Sequence, residues 1–257
     1  MRTTERDDSG SMVGRVASIF DAFTAHDDEL GISEIARRTG LAKSTVSRIV
    51  SELTERKFLE RSGRGVRLGL RLFELGESAA RPRDLRKIAL ASMADLRAAV
   101  NLTVHLAVLE RDEVVYIEIL PARGIPPLPS RVGGRMPAYA TGVGKALLAW
   151  SPPEVIDEIL SGQLVSVGPK TVTDPAALRR EFARIRASGL AYEREESAPG
   201  VACAAAALRA SNGEPIAALS AAGWAGDVDI RRVGLAVQTA AQSITRLIAR
   251  RPGMRFT

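Results

Sequence analysis

The sequence has little cysteine, little histidine and no long apolar segment. Cys203 is the single cysteine among 257 residues, which excludes an intramolecular disulfide and fits a reducing cytoplasm. No apolar run approaches the roughly 18 residues that a membrane-spanning helix needs, and the first ten residues lack the apolar core of a secretory signal. His26 and His105, the only histidines, have no second ligand at helical or strand spacing. We therefore expect a cytoplasmic protein with no membrane partner, no metal and no cofactor.

Length and composition are those of an ordinary globular protein. Hydrophobic residues make up 46% and charged residues 26% of the chain, which excludes a wholly disordered protein. A chain of this length buries a sizeable core and fits one large or two small domains.

The net charge of +6 is distributed unevenly along the chain. Residues 31–71 contain only four acidic residues, whereas residues 1–30 are acidic. The basic residues of that segment number ten: Arg37, Arg38, Lys43, Arg48, Arg56, Lys57, Arg61, Arg64, Arg67 and Arg71. Such a surplus indicates either contact with phosphates or a solvated charged face.

Hydrophobic periodicity in this basic segment predicts a helix-turn-helix motif. A first helix is predicted over about 12–25 from apolar residues at helical spacing: Val13, Val16, Ala17, Phe20 and Phe23. A second helix, over 32–39, ends at Gly40, and a third follows a three-residue turn. The third helix, about 43–56, buries Val46, Ile49, Val50 and Leu53. Its opposite face presents Ser44, Ser47, Arg48 and Ser51, small enough to enter a DNA major groove.

A short hairpin follows the third helix. Residues 58–61 and 66–68 read as strands around the turn 62–65, which places Arg64 at the tip. Helix-turn-helix and hairpin together form a winged helix-turn-helix. Such modules also bind proteins, but the basic face favours DNA.

These segments resemble the IclR family of bacterial transcriptional regulators. The N-terminal resemblance lies in residues 32–48 (ISEIARRTGLAKSTVSR), 58–61 and 68–72. The C-terminal segments resemble the family's effector-binding domain in the same order: 103–108, 133–137, 141–149, 171–175 and 195–203. The resemblance spans about residues 12–250. Two positions depart from it near the expected ligand pocket: Tyr139 replaces a usual histidine and Ala206 a common proline.

The second half alternates predicted strands with helices, which indicates an α+β domain around an antiparallel sheet. Strands are predicted at 103–109, 114–120, 191–194, 201–208 and 216–221. Helices are predicted at 84–100 and 140–150, from 152 and 175, and from 229 onward. A linker helix is expected to end at Pro82. The resemblance implies a GAF-like sensor domain.

Enzyme interpretations of this half are weak. The segment 142–145 (GVGK) fails the phosphate-loop pattern, since Tyr139 replaces its first glycine and Ala146 its Ser or Thr. A nucleophile arrangement of Cys203, His105 and Glu193 has no local support, and a lone cysteine among Val and Ala usually packs in the core. A hydrolase using Cys203 or Ser220 remains the alternative to a regulator.

A small-molecule site is the better interpretation. Gly142, Val143 and Gly144 open a helix, and the first amides of a helix have no partner within it and attract carboxylates. The glycines equally allow tight helix packing. The resemblance implies effector contacts at Leu128, Met136, Gly142, Val143, Glu193, Cys203 and Ser220. The apolar members and Tyr139 favour a ligand larger than a two-carbon acid.

We therefore predict a transcriptional regulator, not an enzyme. The expected parts are a disordered tail (1–10), a winged helix-turn-helix domain (11–70), a linker helix (71–83) and an effector-binding and oligomerisation domain (84–257). The expected partners are double-stranded operator DNA, a small organic acid of the carboxylate type, and further copies of the chain as a homodimer or dimer of dimers. DNA contacts are expected from Lys43, Ser44, Thr45, Ser47, Arg48 and Arg64.

Overall fold

The computed structural model describes residues 10–24 and 26–250, without the side chains of residues 80 and 81. The chain divides into two compact units, the first ending at Ala80 and the second beginning at Arg81. The predicted disordered tail lies outside the described residues apart from Gly10. Within the described part of the chain, no helix is both long and apolar enough to cross a membrane.

The first unit contains the predicted helices and hairpin. Its elements are α1 (Met12–Asp21), α2 (Ile32–Thr39), α3 (Lys43–Glu55), β1 (Leu59–Ser62), β2 (Gly65–Leu68) and α4 (Leu70–Ser78). Ser11 caps α1 by accepting the Gly14 amide, and Gly40, at φ +72°, ends α2 in the left-handed conformation that glycine favours. The order helix, helix, helix, hairpin is that of a winged helix.

Burial in α3 confirms its predicted apolar face, whereas α1 differs from the prediction. Val46, Ile49, Val50 and Leu53 are all buried. In α1 the fully buried side chain is Ile19, which the predicted face omitted, while Val13 is 79% exposed. Val16, Phe20 and Phe23 of the predicted face do pack against this core, so the prediction found the buried side of the helix but included Val13 and omitted Ile19.

The hairpin is tight and attached to the helices. Ser62 pairs with Gly65, so Gly63 and Arg64 form a two-residue turn with Arg64 exposed at its tip. Leu30, just before α2, exchanges two backbone hydrogen bonds with Val66 at 2.8 and 2.9 Å. The wing is therefore held to the start of the helix-turn-helix motif.

The predicted helix end at Pro82 is wrong. Helix α4 ends at Ser78, and α5 (Ala80–Val100) contains Pro82 as its third residue. The first amides of a helix have no acceptor within it, so a proline there costs no hydrogen bond.

The second unit is a three-layer α+β domain. Its further strands are β3 (Thr103–Glu110), β4 (Glu113–Leu120), β5 (Arg135–Pro137), β6 (Ala191–Arg194), β7 (Val201–Arg209) and β8 (Pro215–Trp224). Its further helices are α6 (Gly142–Leu148), α7 (Pro153–Ser161), α8 (Pro175–Ser188) and α9 (Ile230–Ala249). The strands form one antiparallel sheet in the order β5-β4-β3-β8-β7-β6.

The two faces of the sheet have different neighbours. One face packs with α5 and α9, through residues such as Leu106, Leu208 and Leu219. The other packs with α6, α7 and α8, through Ala107, Ala205 and Ala218. Alternate strand residues share a face, so residues two positions from these three alanines also point towards the α6 layer.

Candidate DNA-binding surface and ligand cavity

The outward face of α3 presents the side chains expected to contact DNA. Lys43, Ser44, Ser47 and Arg48 are exposed, and Thr45 is half-buried. These side chains lie opposite the buried face of α3. The helix therefore offers small hydroxyl groups and two cations on one surface.

Ion pairs divide the basic residues of this unit into two groups. Four arginines are paired within the unit, in the pairs Arg37–Glu34, Arg38–Asp27, Arg67–Glu60 and Arg71–Glu74. Among the described residues, no ion pair is formed by Lys43, Arg48 or Arg64, the three cations expected to contact DNA. The exposed Arg61 on β1 also has no ion pair there, although it was not predicted as a DNA contact. Charge counting could not separate the two groups, because pairing depends on the folded positions.

A cavity lies between the sheet and the start of α6 in the second unit. It has about 680 Å³ of empty space, part of it open to solvent. All seven residues expected to contact an effector line it: Leu128, Met136, Gly142, Val143, Glu193, Cys203 and Ser220. They come from the loop after β4 and from β5, α6, β6, β7 and β8. The cavity is also lined by residues that the sequence pattern did not indicate, among them Tyr116, Ser130, Thr141 and Ser197.

His105 forms the polar centre of one wall. Its Nε2 lies 2.8 Å from Ser130 Oγ and its Nδ1 lies 3.4 Å from Ser220 Oγ, on the neighbouring strand. Its ring contacts that of Tyr116, with centroids 5.2 Å apart. Burial lowers the pKa of His105 to about 4, so the ring is neutral at pH 7. Alternation from Ala107 could have placed His105 here, but nothing local pointed to Ser130.

Glu193 and Cys203 form a buried cross-strand pair in the opposite part of the cavity. They are register partners on β6 and β7, and Glu193 is 2% exposed. Glu193 Oε1 accepts the amides of Glu196 and Ser197 at 2.7 and 3.0 Å. Burial nevertheless raises the pKa of Glu193, and burial together with the Glu193 charge raises the pKa of the Cys203 thiol.

A buried ion cluster stands behind Glu193. Lys145 Nζ, fully buried, donates to Glu196 at 2.6 Å, Glu181 at 2.7 Å and the Tyr192 carbonyl at 3.1 Å. Burial opposes its charge, but the two carboxylates outweigh this and raise the pKa of Lys145. Lys145 thus binds carboxylates within the fold and is not a phosphate-loop lysine.

The glycines of α6 serve packing more than ligand access. A Cβ on Gly144 would overlap the carbonyl oxygen of Ala138, and one on Gly142 would overlap the sulfur of Cys203. Thr141 Oγ1 caps α6 by accepting the Gly144 amide at 3.0 Å. The expectation that the Gly144 amide is available to a ligand is therefore wrong, and the Gly142 amide is likewise hydrogen-bonded, to the Cys203 sulfur.

The two departures from the family pattern lie away from the cavity. Tyr139 Oη donates to the Val165 carbonyl at 2.9 Å and accepts the Val165 amide at 2.8 Å. Ala206 packs in the α5–α9 layer, on the other face of the sheet. Neither residue shapes the ligand site, so the inference of a large ligand from Tyr139 is wrong.

Both units match families of known proteins. Residues 12–63 match the IclR helix-turn-helix domain, and residues 77–246 match the bacterial transcriptional regulator IclR C-terminal domain. The chain belongs to the IclR family. Members of this family are transcriptional regulators that bind DNA through the helix-turn-helix domain.

Similarity to individual IclR-family proteins extends over most of the chain. XynR of Escherichia coli is 32% identical over 211 residues, which cover 81% of this chain and 84% of XynR. Rv1719 of Mycobacterium tuberculosis is 34% identical over 80% of each chain. The structure resembles an IclR homolog from Microbacterium hydrocarbonoxydans, complexed with 4-hydroxybenzoate, with TM-score 0.86 and 36% identity over 93% of this chain and 99% of that chain.

The IclR family consists of regulators, not enzymes, and the cavity chemistry agrees. The Cys203 thiol has a raised pKa, whereas a nucleophilic cysteine needs a lowered one. Ser220 lies next to one ring nitrogen of His105, as the nucleophile of a hydrolytic triad does. The other ring nitrogen is hydrogen-bonded to the Ser130 hydroxyl, whereas a triad has a carboxylate at that position. The hydrolase alternative is therefore not supported.

Proposed function

We propose that this protein binds operator DNA through α3 and the wing, and that a small aromatic monocarboxylate in the cavity changes its affinity for the operator. It acts in the cytoplasm, where its DNA target lies. The observation that supports the effector site most directly is the convergence of seven residues from six parts of the fold on one cavity.

The lining of the cavity suits an aromatic acid. Leu128, Val143 and Met136 supply apolar wall, and the His105 and Tyr116 rings provide flat surfaces. Polar atoms lie at both ends, with the Ser130 and Ser220 hydroxyls at one and Glu193 at the other. An apolar body with a polar group at each end matches 4-hydroxybenzoate, the ligand of the Microbacterium homolog.

The proposed DNA contacts follow from exposure and charge. Ser47 and Arg48 meet base edges in the major groove, and Thr45 lies near phosphate. Lys43 and Arg64 add phosphate or minor-groove contacts, because both are exposed and have no ion pair among the described residues.

Replacing Arg48 tests the DNA interface. Arg48→Ala is expected to weaken operator binding by about 1–3 kcal/mol, because a base-reading arginine contributes roughly that much. Fluorescence anisotropy with the DNA upstream of its own gene measures the change.

Arg71→Ala is the matched control, since Arg71 is exposed on α4 of the same unit, outside α3 and the wing, and is paired with Glu74 at 2.9 Å. It is expected to change operator affinity by less than the α3 variant. A folded Arg48→Ala protein with wild-type affinity would refute the proposed docking of α3.

A further inference from the structure

The ligand cavity has an unusual charge balance for an organic acid site. Its lining residues among the described part of the chain include one carboxylate, Glu193, and no lysine or arginine. His105, the lining base, is neutral because burial lowers its pKa to about 4. An incoming carboxylate therefore meets a buried acid and no cation in the cavity wall.

The ion cluster behind the wall does not neutralise a second anion. Glu181, Glu193 and Glu196 face one lysine, Lys145, which gives two excess negative charges when all four groups are ionised. Lys145 Nζ already has three acceptors, and Glu196 Oε2 is buried without a hydrogen-bond partner in the described structure. The cluster thus has no donor left for a ligand.

Glu193 lines the cavity and is only 2% exposed, so an effector carboxylate would enter the same desolvated site as this buried acid. Two carboxylates in one desolvated site cannot both stay ionised, because their repulsion raises the pKa of one of them.

We propose that binding of a monocarboxylate effector in this cavity protonates Glu193. The proton comes from solvent, so binding of the anion to ionised Glu193 takes up one proton. The raised pKa of Glu193 agrees with this assignment, since burial already favours its protonated form. The titratable groups around Glu193 are Lys145 of α6, Glu181 of α8, Glu196 after β6, Cys203 of β7 and Tyr116 of β4.

Cys203 and Tyr116 cannot supply this proton by ionising, because burial raises the pKa of both groups. Lys145 is held charged by its two carboxylates, so it does not exchange a proton with the ligand either. Glu181 and Glu196 do not line the cavity, so Glu193 is the group whose protonation changes when the anion enters.

Calorimetric titration with 4-hydroxybenzoate between about pH 6 and 8.5 tests this inference. The wild-type affinity is expected to fall with pH, approaching tenfold per pH unit. Titrations in two buffers of different ionisation enthalpy should show net proton uptake, approaching one proton at the upper end of that range.

Glu193→Gln keeps an acceptor for the Glu196 and Ser197 amides but has no charge. It is expected to bind 4-hydroxybenzoate with nearly constant affinity over this range and more tightly than wild type at about pH 8.5. Glu158→Gln, on the exposed side of α7, is the control and should retain the wild-type pH dependence.

The neutral amide, 4-hydroxybenzamide, tests the same point on the wild-type protein alone. Its affinity should not change between about pH 6 and 8, below the ionisation of its phenol. Binding of 4-hydroxybenzoate with constant affinity and no proton uptake would overturn this inference, but it would not contradict the proposed effector site. Because the inference rests on the proposed effector function, failure of both compounds to bind would overturn the two together.

Discussion

At the scale of single residues, His105 joins three parts of the effector domain. It lies on β3, contacts Ser220 on β8 and is hydrogen-bonded to Ser130 in the loop between β4 and β5. Its neutral ring can hydrogen-bond to both serines, because one ring nitrogen donates a hydrogen bond and the other accepts one. Protonation would place an unpaired charge in this buried site.

The low pKa of His105 makes the stability of the effector domain depend on pH. The unfolded chain takes up a proton near pH 6.5, whereas the folded protein resists it until about pH 4. The free energy of unfolding should therefore decrease as the pH falls through this window. His105→Gln, which cannot be protonated, should reduce that decrease in denaturant titrations of the second unit. His26→Gln, at an exposed position in the first unit, is the control. Equal pH dependence in wild type and His105→Gln would refute this account.

Residue-level prediction from sequence is possible where a contact follows from strand alternation. The alternation of β3, β7 and β8 puts His105, Cys203 and Ser220 on one face, and the family resemblance pointed to two of them. It failed for Tyr139, whose partner Val165 lies 26 residues away in a loop. Such contacts depend on how distant segments come together, and no local spacing encodes them.

At the scale of elements, α6 combines tight packing with the cavity wall. Its first residues contact the sheet through Gly142 and the preceding turn through Gly144, and all seven of its residues are buried. The glycines let the backbone approach so closely that the helix start forms one side of the cavity.

Gly144→Ala should destabilise the effector domain by about 1–3 kcal/mol, because the new methyl group would overlap the Ala138 backbone. Gly76→Ala is the opposite control. Gly76 lies in α4 with open space around its Cα, so alanine should stabilise that helix by roughly 0.5–1 kcal/mol. Thermal unfolding followed by circular dichroism measures both. A Gly144→Ala protein as stable as wild type would show that the packing in this turn is looser than described.

Several element boundaries of the winged helix follow from its turn residues. Gly40 and Gly63 lie where the chain adopts a positive φ, which glycine favours, so the turns at these two positions can be predicted from the sequence. The burial of α1 was less predictable, since Ile19 and Val13 are similar residues and only the positions of α2 and α3 decide which is covered.

At the scale of the whole molecule, exposed apolar residues on α1 suggest how copies of the chain associate. Met12 and Val13 are 50% and 79% exposed at the start of α1. We propose that α1 pairs with its counterpart in a homodimer, which would match a palindromic operator, and that such dimers can pair again.

Val13→Glu should reduce the number of chains in the assembly, because a charge in this contact would be buried without a partner. Light scattering at micromolar concentration, with and without operator DNA, measures the mass. Val165→Glu, at a 52% exposed position in the effector domain, is the control and should leave it unchanged. A wild-type protein that is monomeric under both conditions would contradict the proposal.

The central claim is that a ligand in the cavity of the second unit alters DNA binding by the first. A ligand can do this only if it binds the DNA-bound and DNA-free states with different affinity. The double variant Cys203→Val, Ser220→Ala keeps side chains of similar size in β7 and β8 while removing polar contacts worth on the order of 1 kcal/mol each.

The most direct measurement is an operator-binding titration of wild type and this double variant against a panel of carboxylates that includes 4-hydroxybenzoate. We expect the two proteins to bind the operator equally without ligand, and the variant to need at least about tenfold more of the effector for the same change in DNA affinity. A double variant that keeps the full wild-type response would show that the effector binds elsewhere.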